Sequence, residues 1–273
     1  MNSEDSPSGI LLADKPAGLT SHDIVARARR ALGTRRVGHA GTLDPFATGL
    51  LIVLVGRATR LARFFVELPK TYEVLVALGA VSSTGDPEGE IVETGVLPER
   101  LELPLGVLRQ RPPAYSAVKI DGERAYKRAR RGEQVQTAER EVTVYEAREL
   151  WREGDRAALR FVCSSGTYVR SLVADLGDAY CLELRRLRIG PFDLTGAWGG
   201  EGVPTLLDLA SAWARMAPVI ALEEEEALAA AHGRAISARG SAGAVLLVDA
   251  AGEPVAVASE RDGRLRVDVG LRG

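Results

Sequence analysis

Leu50-Leu51-Ile52-Val53-Leu54-Val55 is an uninterrupted apolar run closed by Gly56. A strand of this kind has no polar face to offer water, so it is comfortable only inside a sheet covered on both sides. Directly before it stands Gly38-His39-Ala40-Gly41-Thr42-Leu43-Asp44-Pro45-Phe46-Ala47-Thr48-Gly49. Pro45 fixes its own φ and pushes Asp44 toward extended geometry. The loop therefore presents a carboxylate from a stiff backbone at the mouth of a buried strand. An aspartate before a proline often does no more than brace its turn, and local chemistry alone leaves the two readings even.

Other elements follow from pattern and punctuation. Gly9 to Ala13 reads as a short strand ended by the Asp14-Lys15-Pro16 turn. Thr20 and Asp23 have capping-box spacing, and Ile24, Val25, Ala28 and Leu32 form a helical stripe that stops at Gly33. Arg27, Arg29, Arg30, Arg35 and Arg36 lie off that stripe or just past it, as a solvated face or as a phosphate-contacting rim. Leu61, Phe64 and Phe65 have helical spacing. In the strand Lys70 to Gly79, period-two alternation puts Tyr72, Val74, Val76 and Leu78 on one face. Glu141 to Tyr145 and Ala157 to Ser164 read as strands, and Ser165 to Gly177 turns into a helix with Arg170 in its first turn. An arginine gains nothing from a helix N-terminus, so Arg170 calls for an anionic partner. Asp86 in Ser82 to Glu90 also precedes a proline, but no buried strand adjoins it and its loop reads as exposed.

The formal net charge is -2, without the overall basic surplus that often marks a nucleic-acid binder. Any RNA site must be a local patch. One candidate is the stretch from Arg109 to Gly132, where Lys119, Arg124, Lys127, Arg128, Arg130 and Arg131 are interleaved with Tyr115 and Tyr126. Cations meet phosphate while aromatic faces accept unstacked bases. A solvated amphipathic helix is the plainer alternative. Cys163 and Cys181 are too few for a disulfide framework or a cysteine zinc site, and no H-x-x-x-H or C-x-x-C pair exists, so a metal enzyme is not expected. No signal-peptide pattern or bilayer-length apolar run is present, and the expected location is the cytoplasm. No G-x-x-x-x-G-K-[ST] or G-x-G-x-x-G follows a strand, which speaks against a nucleotide-binding enzyme of those kinds.

Gly41 to Leu51 fills every fixed position of G-x-LDP-x-A-x-G-x-L and resembles the catalytic loop of the TruB family of tRNA pseudouridine synthases. Asp14 to Ser21 is similar to that family's DKP-x-G-x-T-S opening, Lys70 to Tyr72 to its K-x-Y motif, and Ser82 to Gly89 to its T-x-T-x-D-x-x-G segment. Gln110 to Lys119 resembles Q-x-PP-x-YSA-x-K, and Ser164 to Arg170 resembles S-x-GTY-x-R. The resemblance implies an α+β fold: a mixed, mainly antiparallel central sheet with flanking helices and a catalytic cleft, plus a small β-rich, PUA-like C-terminal domain. It implies a catalytic domain over 9–218 with an RNA-contacting insertion at about 109–136, and a second domain over 219–273. The segment from Leu97 to Gln110 is shorter than in the family, where a longer helix is usual.

The implied activity is isomerisation of uridine 55 in the T arm of tRNA to pseudouridine, by a monomer, with no cofactor or metal and no membrane. Asp44 would be the catalytic acid, Tyr72 would lie against the uracil, and Arg170 would pair with Asp44. Leu184 would line the uracil pocket, His39 would help open the loop stack, and Lys15, Tyr115, Lys119, Arg124 and Lys127 would contact the substrate. The alternative is a catalytically silent RNA-binding or tRNA-folding protein on the same scaffold. Its signature would be a missing acid or arginine, and both are present.

Overall fold

The computed structural model describes residues 7–272 except 114, 117, 121, 126, 127, 129, 130, 134 and 136, and only the backbone at 119, 120 and 124. In chain order the elements begin with β1 (Gly9–Lys15), α1 (Ser21–Leu32), β2 (Val37–His39) and β3 (Thr48–Val55). A 3-10 turn (Gly56–Leu61) leads into α2 (Ala62–Val66), then β4 (Lys70–Leu78) and a small hairpin of β5 (Ala80–Ser82) and β6 (Ile91–Glu93). Next come β7 (Gly106–Gln110), β8 (Lys119–Ile120), β9 (Glu123–Arg124), β10 (Arg140–Glu153) and β11 (Arg156–Cys163). The chain continues through α3 (Val169–Ala174), β12 (Ala179–Ile189), α4 (Leu209–Ala214), β13 (Val219–Ala221) and α5 (Glu224–Ala231). It ends with β14 (Ile236–Ser237), β15 (Ala244–Val248), β16 (Pro254–Arg261) and β17 (Arg264–Gly270).

Eight strands form the main sheet in the order β1-β3-β12-β4-β11-β10-β7, with β2 also paired to β3. Its pairings are antiparallel except where β12 runs parallel to β3 through Arg185↔Thr48 and Arg186↔Gly49. The mixed, mainly antiparallel α+β expectation is met. The apolar run behaves as its composition requires: Leu50, Ile52 and Leu54 enter one core cluster, while Leu51, Val53 and Val55 enter another on the opposite face. Tyr72, Val74, Val76 and Leu78 share a third cluster with Phe161, Val169, Leu172 and Leu184. Helix α1 has the Thr20–Asp23 capping box, and Gly33 closes it at φ 63°. Leu97 to Leu105 carries no helix, and Gly106–Gln110 is the edge strand of the sheet.

The C-terminal five-stranded sheet, β13-β15-β16-β17-β14, is packed onto the rest of the molecule. Leu246, Val248, Val257 and Leu271 share one buried cluster with Phe65, Phe192 and Trp213, and Arg60 Nη1 donates to the Gly270 carbonyl at 2.7 Å. Among the described residues no helix is long and apolar enough to cross a membrane.

One glycine makes the parallel contact between β3 and β12 feasible. Gly49 lies at φ 104°, and a Cβ there would sit 2.2 Å from the Arg186 carbonyl oxygen. Gly49→Ala should therefore combine left-handed strain with a backbone clash and lower stability by roughly 3 kcal/mol, read as a fall in the urea midpoint.

Candidate active site

Three elements bring the candidate side chains together. The loop between β2 and β3 carries Asp44, β4 carries Tyr72, and the first turn of α3 carries Arg170. All three line a cleft of about 400 Å³, together with Lys70, Leu184 and Arg186. Arg170 is buried, and Nε lies 2.9 Å from Asp44 Oδ2 at an angle that makes an ion pair rather than a linear hydrogen bond. Its Nη1 donates to the Thr84 carbonyl at 2.7 Å and to Asp86 Oδ2 at 3.0 Å, and Nη2 donates to the Tyr115 carbonyl at 2.8 Å. One planar guanidinium thus ties four chain segments at fixed angles, which a lysine ammonium does not reproduce.

The expectation that Asp86 sits in an exposed loop is overturned. Asp86 is 4% exposed and is the second carboxylate on Arg170. Its Oδ1 accepts from the Thr84 hydroxyl at 2.5 Å and from the Glu88 N–H at 3.1 Å, so the turn is folded inward around it. The turn residues do form a turn, but the arginine that draws it under the surface comes from 84 positions further along the chain.

Asp44 keeps 27% of its side-chain surface open to the cleft. Burial of the remainder pushes the carboxyl above its ordinary range. Arg170 draws it back down, while the charge of Asp86 pushes it up. Tyr72 is pushed up by burial of the phenol, with Arg186 acting in the opposite direction. The phenol is accordingly neutral near pH 7.

Lys15 was expected at the substrate, but it is 0% exposed and lies beneath the loop. Its Nζ donates to the carbonyls of Pro16, Leu19 and Pro45 at 2.9, 2.7 and 3.1 Å, leaving no donor for a ligand. Burial brings it down to about 8. It braces the Asp44 loop from behind. His39 packs edge-on against His22 with ring centroids 5.3 Å apart. Leu184 is buried in the cleft wall. Tyr115 is exposed beside the cleft and contributes its carbonyl to Arg170. The backbone at Lys119 and Arg124 pairs across β8 and β9, but their side chains, and all of Lys127, lie outside the described residues.

Two contributors were not picked out from sequence. Gln110 accepts from the Tyr168 N–H at 2.7 Å through Oε1 and donates to the Tyr168 carbonyl at 3.0 Å through Nε2, fixing the residue that enters α3. Arg186 is the other. Its signal was available, since period two on β12 places it on the same face as Leu184.

A family model described as the TruB family pseudouridylate synthase N-terminal domain matches residues 29–169. A protein of Thermobifida fusca (strain YX) named tRNA pseudouridine synthase B is 44% identical, covering 93% of this chain and 95% of its own length. A protein of the same name from Corynebacterium aurimucosum is 42% identical, covering 94% of each. Among solved structures, a chain of a Cbf5-Nop10-Gar1 complex superposes with a TM-score of 0.69 at 26% identity, over 98% of this chain and 86% of that one. A chain of an H/ACA RNP bound to a substrate RNA containing 2'-deoxyuridine superposes with a TM-score of 0.68 at 22% identity, over 97% and 85%.

The charges around Asp44 give a two-sided test. Removing the cation in Arg170→Ala should move ionisation of the Asp44 carboxyl to higher pH, and removing the like charge in Asp86→Asn should move it to lower pH. The carboxyl ¹³C shift of Asp44, followed by NMR titration in both variants, reads the two directions.

Proposed function

The chain belongs to the TruB family of pseudouridylate synthases, and on that footing we propose that it isomerises uridine 55 in the T arm of tRNA to pseudouridine, with Asp44 as the reacting carboxylate. The relatives named tRNA pseudouridine synthase B support tRNA as substrate. The observation that carries the reading is the ion pair of Asp44 with buried Arg170, facing Tyr72 across a cleft of about 400 Å³. That volume is in the range of sites that enclose a small organic group.

The reaction breaks the N1 glycosidic bond, turns the uracil and joins C5 to the same ribose carbon. Its atoms balance as an isomerisation. A base in a loop stack is out of reach, so the nucleotide is flipped into the cleft at a cost of roughly a few kcal/mol, recovered by stacking and phosphate contacts. Tyr72 and Leu184 hold the ring. Asp44 supplies the anionic oxygen that the electron-poor ribose needs, and Arg170 favours the ionised carboxylate and aims it. Asp86 keeps Arg170 in place. We further assign RNA contacts to the insertion at about 109–136 and to the C-terminal unit 219–273, and we place the protein in the cytoplasm as a monomer.

The test is tritium release from 5-tritiated uridine in a T-arm stem-loop with no metal added. Asp44→Asn should lower the single-turnover rate at least about a thousandfold while RNA affinity stays within about threefold, because only the chemical step loses its carboxylate. Turnover by Asp44→Asn, once deamidation has been ruled out by mass spectrometry, would refute the assignment.

A further inference from the structure

Arg186 is 1% exposed, and none of its bonds goes to a carboxylate. Nε donates to the Leu50 carbonyl at 2.7 Å, Nη1 to Thr42 at 3.3 Å and Nη2 to Gly41 at 3.1 Å. Among the described residues, the ion pairs of the cleft belong to Arg170. The Arg186 charge is therefore buried and unneutralised, which is costly unless something in the working complex uses it.

Its surroundings sharpen the point. Lys15 is 0% exposed with its donors spent on carbonyls, and Lys70 is 5% exposed with Nζ donating to Val66 and Leu68. Burial brings both lysines down to about 8, and the charge of Arg186 pushes each the same way. Among the described residues, Lys70, Arg140, Arg170 and Arg186 line the cleft with Asp44, while Lys15 lies beneath it and Asp86 is held on Arg170, in a chain whose net charge is -2. A phosphate cannot reach the three cations of the floor, because they are covered and their donors point at the backbone. An anion formed inside the cleft would feel Lys70 and Arg186, which line it, at short range.

Arg186 sits beside the place where such an anion would form. It is the direct register partner of Tyr72 across β12 and β4, so the two side chains are neighbours on one face of the sheet, and both line the cleft with Leu184. Arg186 acts on the Tyr72 hydroxyl against the effect of burial, while Cys163 on β11 and Asp44 on the loop act with it.

We propose that Arg186 is a positioning residue that holds a fixed counter-charge beside Tyr72 for the uracil anion released when the glycosidic bond breaks. The inference rests on the function proposed above. The N1–C1′ bond opens with its electron pair on N1, so the ring leaves as an anion. The Asp44 carboxylate answers the electron-poor ribose by bonding C1′ or by taking the 2′ proton. After the ring turns, C5 bonds to C1′ as the Asp44–C1′ bond breaks or as the 2′ proton returns to its carbon, the proton on C5 departs and N1 takes one up, with no oxidant or reductant involved. Arg186 acts on the anionic stage through the Tyr72 hydroxyl, and its bonds to Gly41 and Thr42 keep the Asp44 loop in register with that same point.

The experiment compares single-turnover conversion of two T-arm stem-loops, one with uridine and one with 5-fluorouridine at the target, read by nucleoside digestion and chromatographic loss of the target residue. Fluorine stabilises the detached ring as an anion and lessens its need for a counter-charge. Arg186→Gln, with melting temperature and RNA affinity near wild type, should lose about 100-fold on uridine and only about tenfold on 5-fluorouridine. Arg186→Lys keeps the charge without the planar fork and should recover part of the loss on uridine. Should Arg186→Gln fail to fold, Tyr72→Phe removes the relaying hydroxyl and should show the same dependence on fluorine. Equal losses on the two RNAs, in folded Arg186→Gln or in Tyr72→Phe, overturn the inference, as does an Arg186→Lys no faster than Arg186→Gln. A wild type that converts neither RNA overturns the parent function instead, so the two failures are distinct.

Discussion

The guanidinium of Arg170 is the contact on which the site depends. It is buried, it pairs with Asp44 and Asp86, and it donates to the carbonyls of Thr84 and Tyr115. A buried ion pair is not by itself a source of stability, because desolvation of the charges offsets much of their attraction. Leaving one member unpaired is the expensive event, at about 3–5 kcal/mol. The arrangement therefore acts as a constraint. The loop of Asp44, the inward turn of Asp86, the segment at Tyr115 and helix α3 are compatible only in the arrangement that satisfies one planar cation.

The sheet supplies what the arginine cannot, namely a rigid floor. β3 is buried on both faces and runs parallel to β12. Gly49 lets the β3 backbone approach Arg186 closely enough for that side chain to reach Gly41 and Thr42. Two arginines on either side of the cleft then hold the same loop. Arg170 takes its carboxylate, and Arg186 takes its carbonyls. Lys15 closes the arrangement from behind through Pro45. Burial raises the Asp44 carboxyl and lowers the two lysines, each shift disfavouring the charged form.

Much of this was legible in the residues. The two-faced burial of Leu50 to Val55 followed from an apolar run without alternation, and the inward face of Tyr72 followed from alternation in β4. The capping box at Thr20 and the stop at Gly33 came from local chemistry that tertiary contacts do not alter. The failures have a different cause. Asp86 in a Gly-Asp-Pro-Glu-Gly turn has every mark of an exposed loop, and Lys15 has the mark of a solvent-facing cation. Both are buried because partners distant in sequence, or carbonyls gathered by the fold, satisfy their polar groups. Arg186 stands among Arg185, Arg186 and Arg188, where strand alternation singles it out only once the face of Leu184 is known to be the cleft.

What the sequence determined by itself was therefore what depends on neighbours along the chain: strand faces, helix caps, the stiff Asp44-Pro45 loop and the motifs that imply the family. What only the tertiary structure decided was the electrostatics of the cleft. Charge is felt through space and in proportion to burial, so the partner of Asp44 comes from residue 170, the like charge beside it from residue 86 and its floor from residue 186. Sequence order does not encode which of several aspartates and arginines will meet in one cleft. Packing of the sheet does.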